Sequence, residues 1–195
     1  PEFMYLLTET ASPFALERWA AFFANFGQFA KGFFYTLGIS IGALIVALLL
    51  GLIFGAMSST HNKVLRGISR VYVEIFQNTP LLVQFVVVFY GISILTDGHI
   101  MIPISLTAIL CVGVYTGAYI SEIIRTGIEA VPKGQTEAAL SQGFTYADTM
   151  RIIILPQAVR TILPPLTNQV VNLIKNTSTV AIISGADIMF TAKAW

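Results

Sequence analysis

Charged side chains are missing from long stretches of this chain, and the gaps set its organisation. None occurs between Lys31 and Lys63, a stretch that contains residues 33–57. A hydrocarbon core of about 30 Å takes about 20 apolar helical residues to cross, so residues 33–57 are read as a first membrane span. Gly38, Ser40, Gly42, Gly51 and Gly55 within it would let another helix approach closely, although glycine is common in membrane helices in any case. A second uncharged stretch, residues 75–96, forms a second span that Pro80 can kink and that contains Gln84. Asp97, Gly98 and His99 are the whole link to a third span, residues 100–121, which runs on into Glu122 and Arg125 where an interface is approached. A fourth span covers residue 161 to about residue 186. It is uncharged except for Lys175 and is interrupted by Pro164, Pro165 and the polar run Asn176, Thr177, Ser178, Thr179.

Between the third and fourth spans the chain turns small and polar, from about residue 130 to 148. Pro132 and Gly134 break the pattern before a short helix over 136–141, and Thr145 has the character of a helix cap. Residues 147–160 hold Arg151, Pro156 and Arg160, too many polar interruptions for a central bilayer position, and are placed at the interface. Lys63, Arg66 and Arg70 follow the first span and Arg125, Lys133 and Arg151 follow the third, so both base-bearing loops face the cytoplasm and the N-terminus lies outside.

Composition agrees with a lipid-solvated, all-α protein: 55% of the 195 residues are hydrophobic and 11% charged, against about 25% charged in soluble domains. A net charge of +1 without a basic tract excludes a nucleic-acid partner. The single Cys111 excludes an internal disulfide and a multi-cysteine metal site. His61 and His99 fall on opposite sides of the membrane, which excludes a two-histidine metal site. No phosphate-cradling G-x-x-x-x-G-K-[ST] loop is present, so ATP-driven work needs another chain. Residues 1–3 ahead of Met4 read as foreign to the native chain, which then has an extracytoplasmic segment up to residue 32 and one membrane domain over 33–195.

The polar loop carries the sharpest pattern: Glu137, Ala138, Ala139, then Gly143, Ile153, Leu155 and Pro156. Alanines give a helix a flat side that enters a partner's groove, the glutamate offers a charge to a basic rim, and Gly143 permits a turn with positive φ. The alternative is a solvated surface helix whose alanines are good helix formers. This spacing resembles the EAA motif of ABC importer permeases. The segments YVEIFQNTPLLVQ (72–84) and GAYISEIIRTGIEAVPKG (117–134) are similar to the polar amino acid branch of that family. The resemblance implies a type I importer fold of about five membrane helices, of which four are covered here. It implies a coupling loop formed by Glu137, Ala138, Ala139 and Gly143. It also implies a second permease subunit, identical or homologous, two cytoplasmic ATPases that carry ATP and Mg, and an extracytoplasmic amino-acid-binding protein, in a bacterial cytoplasmic membrane. This chain itself needs no cofactor. Many relatives have Asp where Asn176 stands, which disfavours a cationic substrate and favours glutamine or glutamate.

Polar side chains inside hydrocarbon need a partner or a wet cavity. Asn168, Asn172 and Lys175 recur at helical spacing, and Tyr115, Tyr119 and Glu122 form a similar stripe on the third span. Both stripes, with Asn176, Thr177 and Ser178 where the fourth helix loosens, are expected to line the substrate path, with Glu122 as a candidate partner for Lys175. The alternative is that they bond between helices as structural glue. A secondary carrier and an intramembrane hydrolase built on Ser178 and Lys175 are the competing functions, and the latter lacks an intramembrane histidine as base.

Overall fold

The computed structural model describes residues 16–183 and 188–193; residues 1–3, Met4 and the expected end of the fourth span near residue 186 lie outside them. Among the described residues every regular element is helical. They are α1 (Leu16–Ala24), α2 (Phe26–Ser58), α3 (Lys63–Asn78), α4 (Leu81–Leu95), α5 (Ile104–Glu129), α6 (Lys133–Ser141), α7 (Leu155–Asn176) and α8 (Ile188–Lys193). A π-turn, Val87–Gly91, lies within α4. One turn, Tyr146–Asp148, and a π-segment, Thr149–Ile154, lead into α7, and a 3₁₀ segment, Thr177–Ile183, follows it.

The molecule is organised by α2 lying against α5. Small residues line the seam. A Cβ at Gly51 would meet Ile120 Cγ2 at 2.4 Å and one at Gly55 would meet Ile124 Cβ at 2.8 Å, while from α5 a Cβ at Gly113 would meet Val46 Cβ at 2.8 Å. Ala43 and Ala47 are wholly buried beside them. Of the small residues in the first span, Gly51, Gly55 and Gly42 therefore serve close packing, whereas Gly38 faces open space. On the opposite side of α2, Ile41, Ile45, Leu49 and Leu52 are each 53–59% exposed, a stripe that only hydrocarbon or another apolar surface can cover. The helix has 33 residues, or ~50 Å, and begins ahead of the residue 33 expected, because Phe26 to Gly32 simply extend it.

Among the described residues two helices, α2 and α5, are long and apolar enough to cross a membrane, or three spans if α3 and α4 count as one bent pair. That pair corrects the second span. Residues 75–96 do not form one segment: α3 and α4 meet at 97°, and Lys63, Arg66 and Arg70 belong to α3, not to a loop. Pro80 causes the break, because it donates no N–H and drives the preceding Thr79 into extended backbone (φ −99, ψ 123). Gln84, 8% exposed, closes the corner by donating from Nε2 to the carbonyls of Phe76 (3.2 Å) and Thr79 (3.0 Å).

α3 has three faces. Its inner side is tied to the seam, where Tyr72 stacks on Phe54 with ring centroids 4.0 Å apart and donates to Val114 O at 2.7 Å. Ser69 Oγ donates to Phe54 O and Gln77 Nε2 to Ala118 O. Val64, Ile68, Val71 and Ile75 form an exposed apolar side, and Lys63, Arg66, Arg70 and Glu74 form a polar one.

The division expected at residue 161 is also corrected. Residues 147–160 and the segment after them form one helical run through Asn176, with Pro164 and Pro165 inside it. The π-segment sits just ahead of Pro156, with Leu155 N–H reaching back to Met150 O, so the missing proline donor falls where the helical ladder is already re-phased. α7 is not among the helices apolar enough to cross a membrane on composition alone. Its polar side needs a covering other than lipid.

Candidate functional site

The polar loop is built around α6. Pro132 precedes it, and its end is closed by two bonds, Phe144 N–H to Ala139 O (3.2 Å) and Gly143 N–H to Leu140 O (3.0 Å). This is a Schellman closure, and it requires a left-handed residue at Gly143, whose φ is +87. Thr145 Oγ1 then accepts from Asp148 N–H at 3.2 Å and starts the next helix. α6 packs against the π-segment, and Ala139 is buried while Glu137 and Ala138 are exposed. Leu140, Phe144 and Tyr146 are also 38–48% exposed. The hairpin thus presents an apolar and carboxylate-bearing surface that its own chain covers only in part, His61 lying against Tyr146 with ring centroids 5.0 Å apart. The sequence reading missed these three apolar side chains; their position directly around Gly143 was the signal.

The expected path residues are distributed over two faces. On α5, Tyr115 and Tyr119 are half-buried and share a hydrogen bond of 3.1 Å between their hydroxyls. Glu122, one turn on, pairs with Arg125 (Nε to Oε2, 2.9 Å), and Arg125 also binds Glu129. Lys175 as a partner of Glu122 is thereby corrected. An arginine three residues along the same helix is already in reach, and bidentate guanidinium contact saturates both carboxylate oxygens. On α7, Asn168, Asn172 and Lys175 are exposed, together with Thr161, Pro164 and Pro165 on the same side. Asn172 Nδ2 donates to Gln169 Oε1 at 3.1 Å. No hydrogen bond among the described residues joins the α7 stripe to the tyrosines of α5. Asn176 is half-buried at the last turn of α7; buried Thr177 donates to Ile174 O and exposed Ser178 to Lys175 O as the helix tightens to 3₁₀. One chain therefore holds both polar faces without enclosing a channel between them.

A cavity of about 630 Å³ lies between α3 and the C-terminal half of α5. Lys63, Arg66, Arg70 and Glu74 line it from α3, and Glu122, Arg125 and Glu129 from α5. Glu122 is the one expected path residue in its wall. No group of three or more His, Cys, Asp or Glu side chains suited to a metal occurs among the described residues.

Comparison with known proteins places this geometry. Residues 47–194 match the family described as binding-protein-dependent transport system inner membrane component. The chain is 41% identical over 173 residues to the "Probable glutamine ABC transporter permease protein GlnM" of Bacillus subtilis, covering 87% of this chain and 77% of that protein. It is 35% identical over 187 residues to the glutamate/aspartate import permease protein GltJ of Escherichia coli, covering 87% and 76%. A crystal structure of an amino acid ABC transporter superposes with a TM-score of 0.82 at 33% identity, over 90% of this chain and 80% of that one. The inward-facing MetNI methionine ABC transporter shares the fold, with a TM-score of 0.67 at 18% identity, over 84% and 77%. The seam of α2 and α5, the broken pair α3 and α4 and the hairpin around Gly143 are thus the architecture of ABC importer permeases, and the chain belongs to the family of binding-protein-dependent transport system inner membrane components.

Proposed function

We propose that the chain forms the translocation path of an ATP-driven importer of polar amino acids, with glutamine or glutamate as substrate. The observation that carries this reading is the hairpin of α6: an exposed Glu137–Ala138 face and apolar rim, fixed by a Schellman turn at Gly143, on a chain whose relatives are amino acid permeases. In this reading Glu137, Ala138, Ala139 and Gly143 dock on a cytoplasmic ATPase, one of a pair that binds ATP and Mg and hydrolyses the nucleotide. The stripe of α7 (Asn168, Asn172, Lys175), with Asn176, Thr177 and Ser178, faces that of a second permease subunit. A polar face left open by its own chain and unsuited to lipid has that placement as its least costly covering. Tyr115, Tyr119 and Glu122 complete the path. An extracytoplasmic binding protein delivers the amino acid, the membrane is the bacterial cytoplasmic one, and the N-terminus lies outside.

The test is co-expression of the chain with candidate ATPase and binding-protein chains, followed by purification in detergent and reconstitution. The expected outcome is a stable permease–ATPase complex whose ATP hydrolysis rises when the binding protein carries glutamine or glutamate. Amino acid uptake by the purified permease with no ATPase present would favour a secondary carrier and defeat the proposal.

A further inference from the structure

The cavity between α3 and α5 holds charged groups that, Glu122 apart, the path above does not use. Its three carboxylates are engaged within their own helices, Glu74 by Arg70 Nε at 2.8 Å and Glu122 and Glu129 by Arg125. That pairing is incomplete in a way that matters for a ligand. Both oxygens of Glu122 are taken, but Glu74 and Glu129 each bind through one oxygen only. Arg70 uses only Nε, so its two terminal nitrogens stay open, and among the described residues no ion pair engages Lys63 or Arg66. The exposed i,i+4 pairs are worth little to stability, so a ligand can share their atoms at small cost.

The cavity therefore offers cationic donors along α3 and open carboxylate oxygens at Glu74 and Glu129. A bare anion entering it meets three carboxylates, and a bare amine meets four bases. A zwitterion satisfies both sets, and the excess of donors leaves room for one more acceptor on the ligand. The volume of about 630 Å³ lies within the ~300–1,000 Å³ usual for small-molecule sites.

We propose that this cavity is a second amino acid site, on the cytoplasmic side, for an α-amino acid with an acidic or amide side chain. Lys63, Arg66 and Arg70 hold its carboxylate and side-chain oxygens, and Glu74 and Glu129 hold its ammonium. The proposal rests on the importer reading above. A ligand bridging α3 to α5 stabilises the arrangement in which those helices stand as they do here, and so opposes any transport step that separates them. Product accumulating in the cytoplasm then slows further import.

The test uses the complete importer in proteoliposomes, with binding protein and labelled amino acid outside and ATP within. The lumen is loaded with unlabelled glutamine or glutamate, or with n-butylamine, propionate or inorganic phosphate. The expected result is slower initial uptake with lumenal glutamine or glutamate and no effect of the three partial mimics. In the K63Q/R66Q double variant, on exposed positions that packing does not need, the half-inhibiting concentration should rise about tenfold, read against the variant's own rate with an empty lumen. R66K alone should retain most of the inhibition. Unchanged uptake with loaded vesicles, an unaltered half-inhibiting concentration in the double variant, or equal inhibition by phosphate would each overturn the site. Vesicles with an empty lumen that import nothing would overturn the importer reading itself, and the site with it.

Discussion

At Gly143 the backbone takes φ +87, and there one residue decides the shape of a surface. The left-handed conformation costs an L-residue about 1–2 kcal/mol, and a β-branched one more. G143V should therefore leave the membrane helices assembled, since nothing lies within 4 Å of a Cβ there, while re-aiming Leu140 and Phe144. We expect more ATP hydrolysed per amino acid imported in proteoliposomes, with a normal yield of permease–ATPase complex. A wild-type ratio would refute the docking role of the hairpin. The turn was legible in the sequence because a glycine following a short helix has few other uses. The partner of Glu122 was misread: the sequence pointed to Lys175, whereas Arg125, three residues along the same helix, takes the acid.

For whole elements, the corner between α3 and α4 was half legible. Pro80 announced a kink, but spacing along the chain carries no angle, and a 97° turn with a mild bend read the same way. What makes the sharp corner tolerable is the Gln84 amide, which offers two N–H groups to carbonyls that the broken ladder abandons. Q84L keeps much of the volume and loses both bonds. It should destabilise the fold by about 1–3 kcal/mol, measured as a lower thermal unfolding midpoint in detergent, and an unchanged midpoint would show that water serves those carbonyls instead. The resemblance of residues 72–84 to amino acid permeases acquires a structural content here: Tyr72, Gln77 and Gln84 each spend their polar atoms on backbone carbonyls, so much of that segment's pattern holds the broken pair in place.

For the whole molecule, the open polar side of α7 is the main unfinished surface. If it faces a second permease, cysteines at Asn172 in two subunits come within reach of a short bifunctional thiol reagent. In a C111S background, N172C in the assembled importer should give a cross-linked permease dimer, and L52C, on the apolar outer stripe of α2, should not. The opposite pattern would put α7 on the outside of the assembly. The sequence by itself determined that this is a helical membrane protein, that its first and third apolar stretches are membrane-crossing helices and that a polar hairpin interrupts it. Those features follow from local periodicity and from the cost of charge in hydrocarbon, which any segment carries wherever it lies. Only the tertiary structure decided which glycines lie in the α2–α5 seam, how sharply α3 turns into α4, that residues 147–176 form one helical run, and that the charges of α3 and α5 face each other across a cavity. All but the helical run depend on the direction one element takes past another. Residues distant in sequence carry no local signal of that direction, because side-chain periodicity fixes the faces of a helix but not what comes to lie against them.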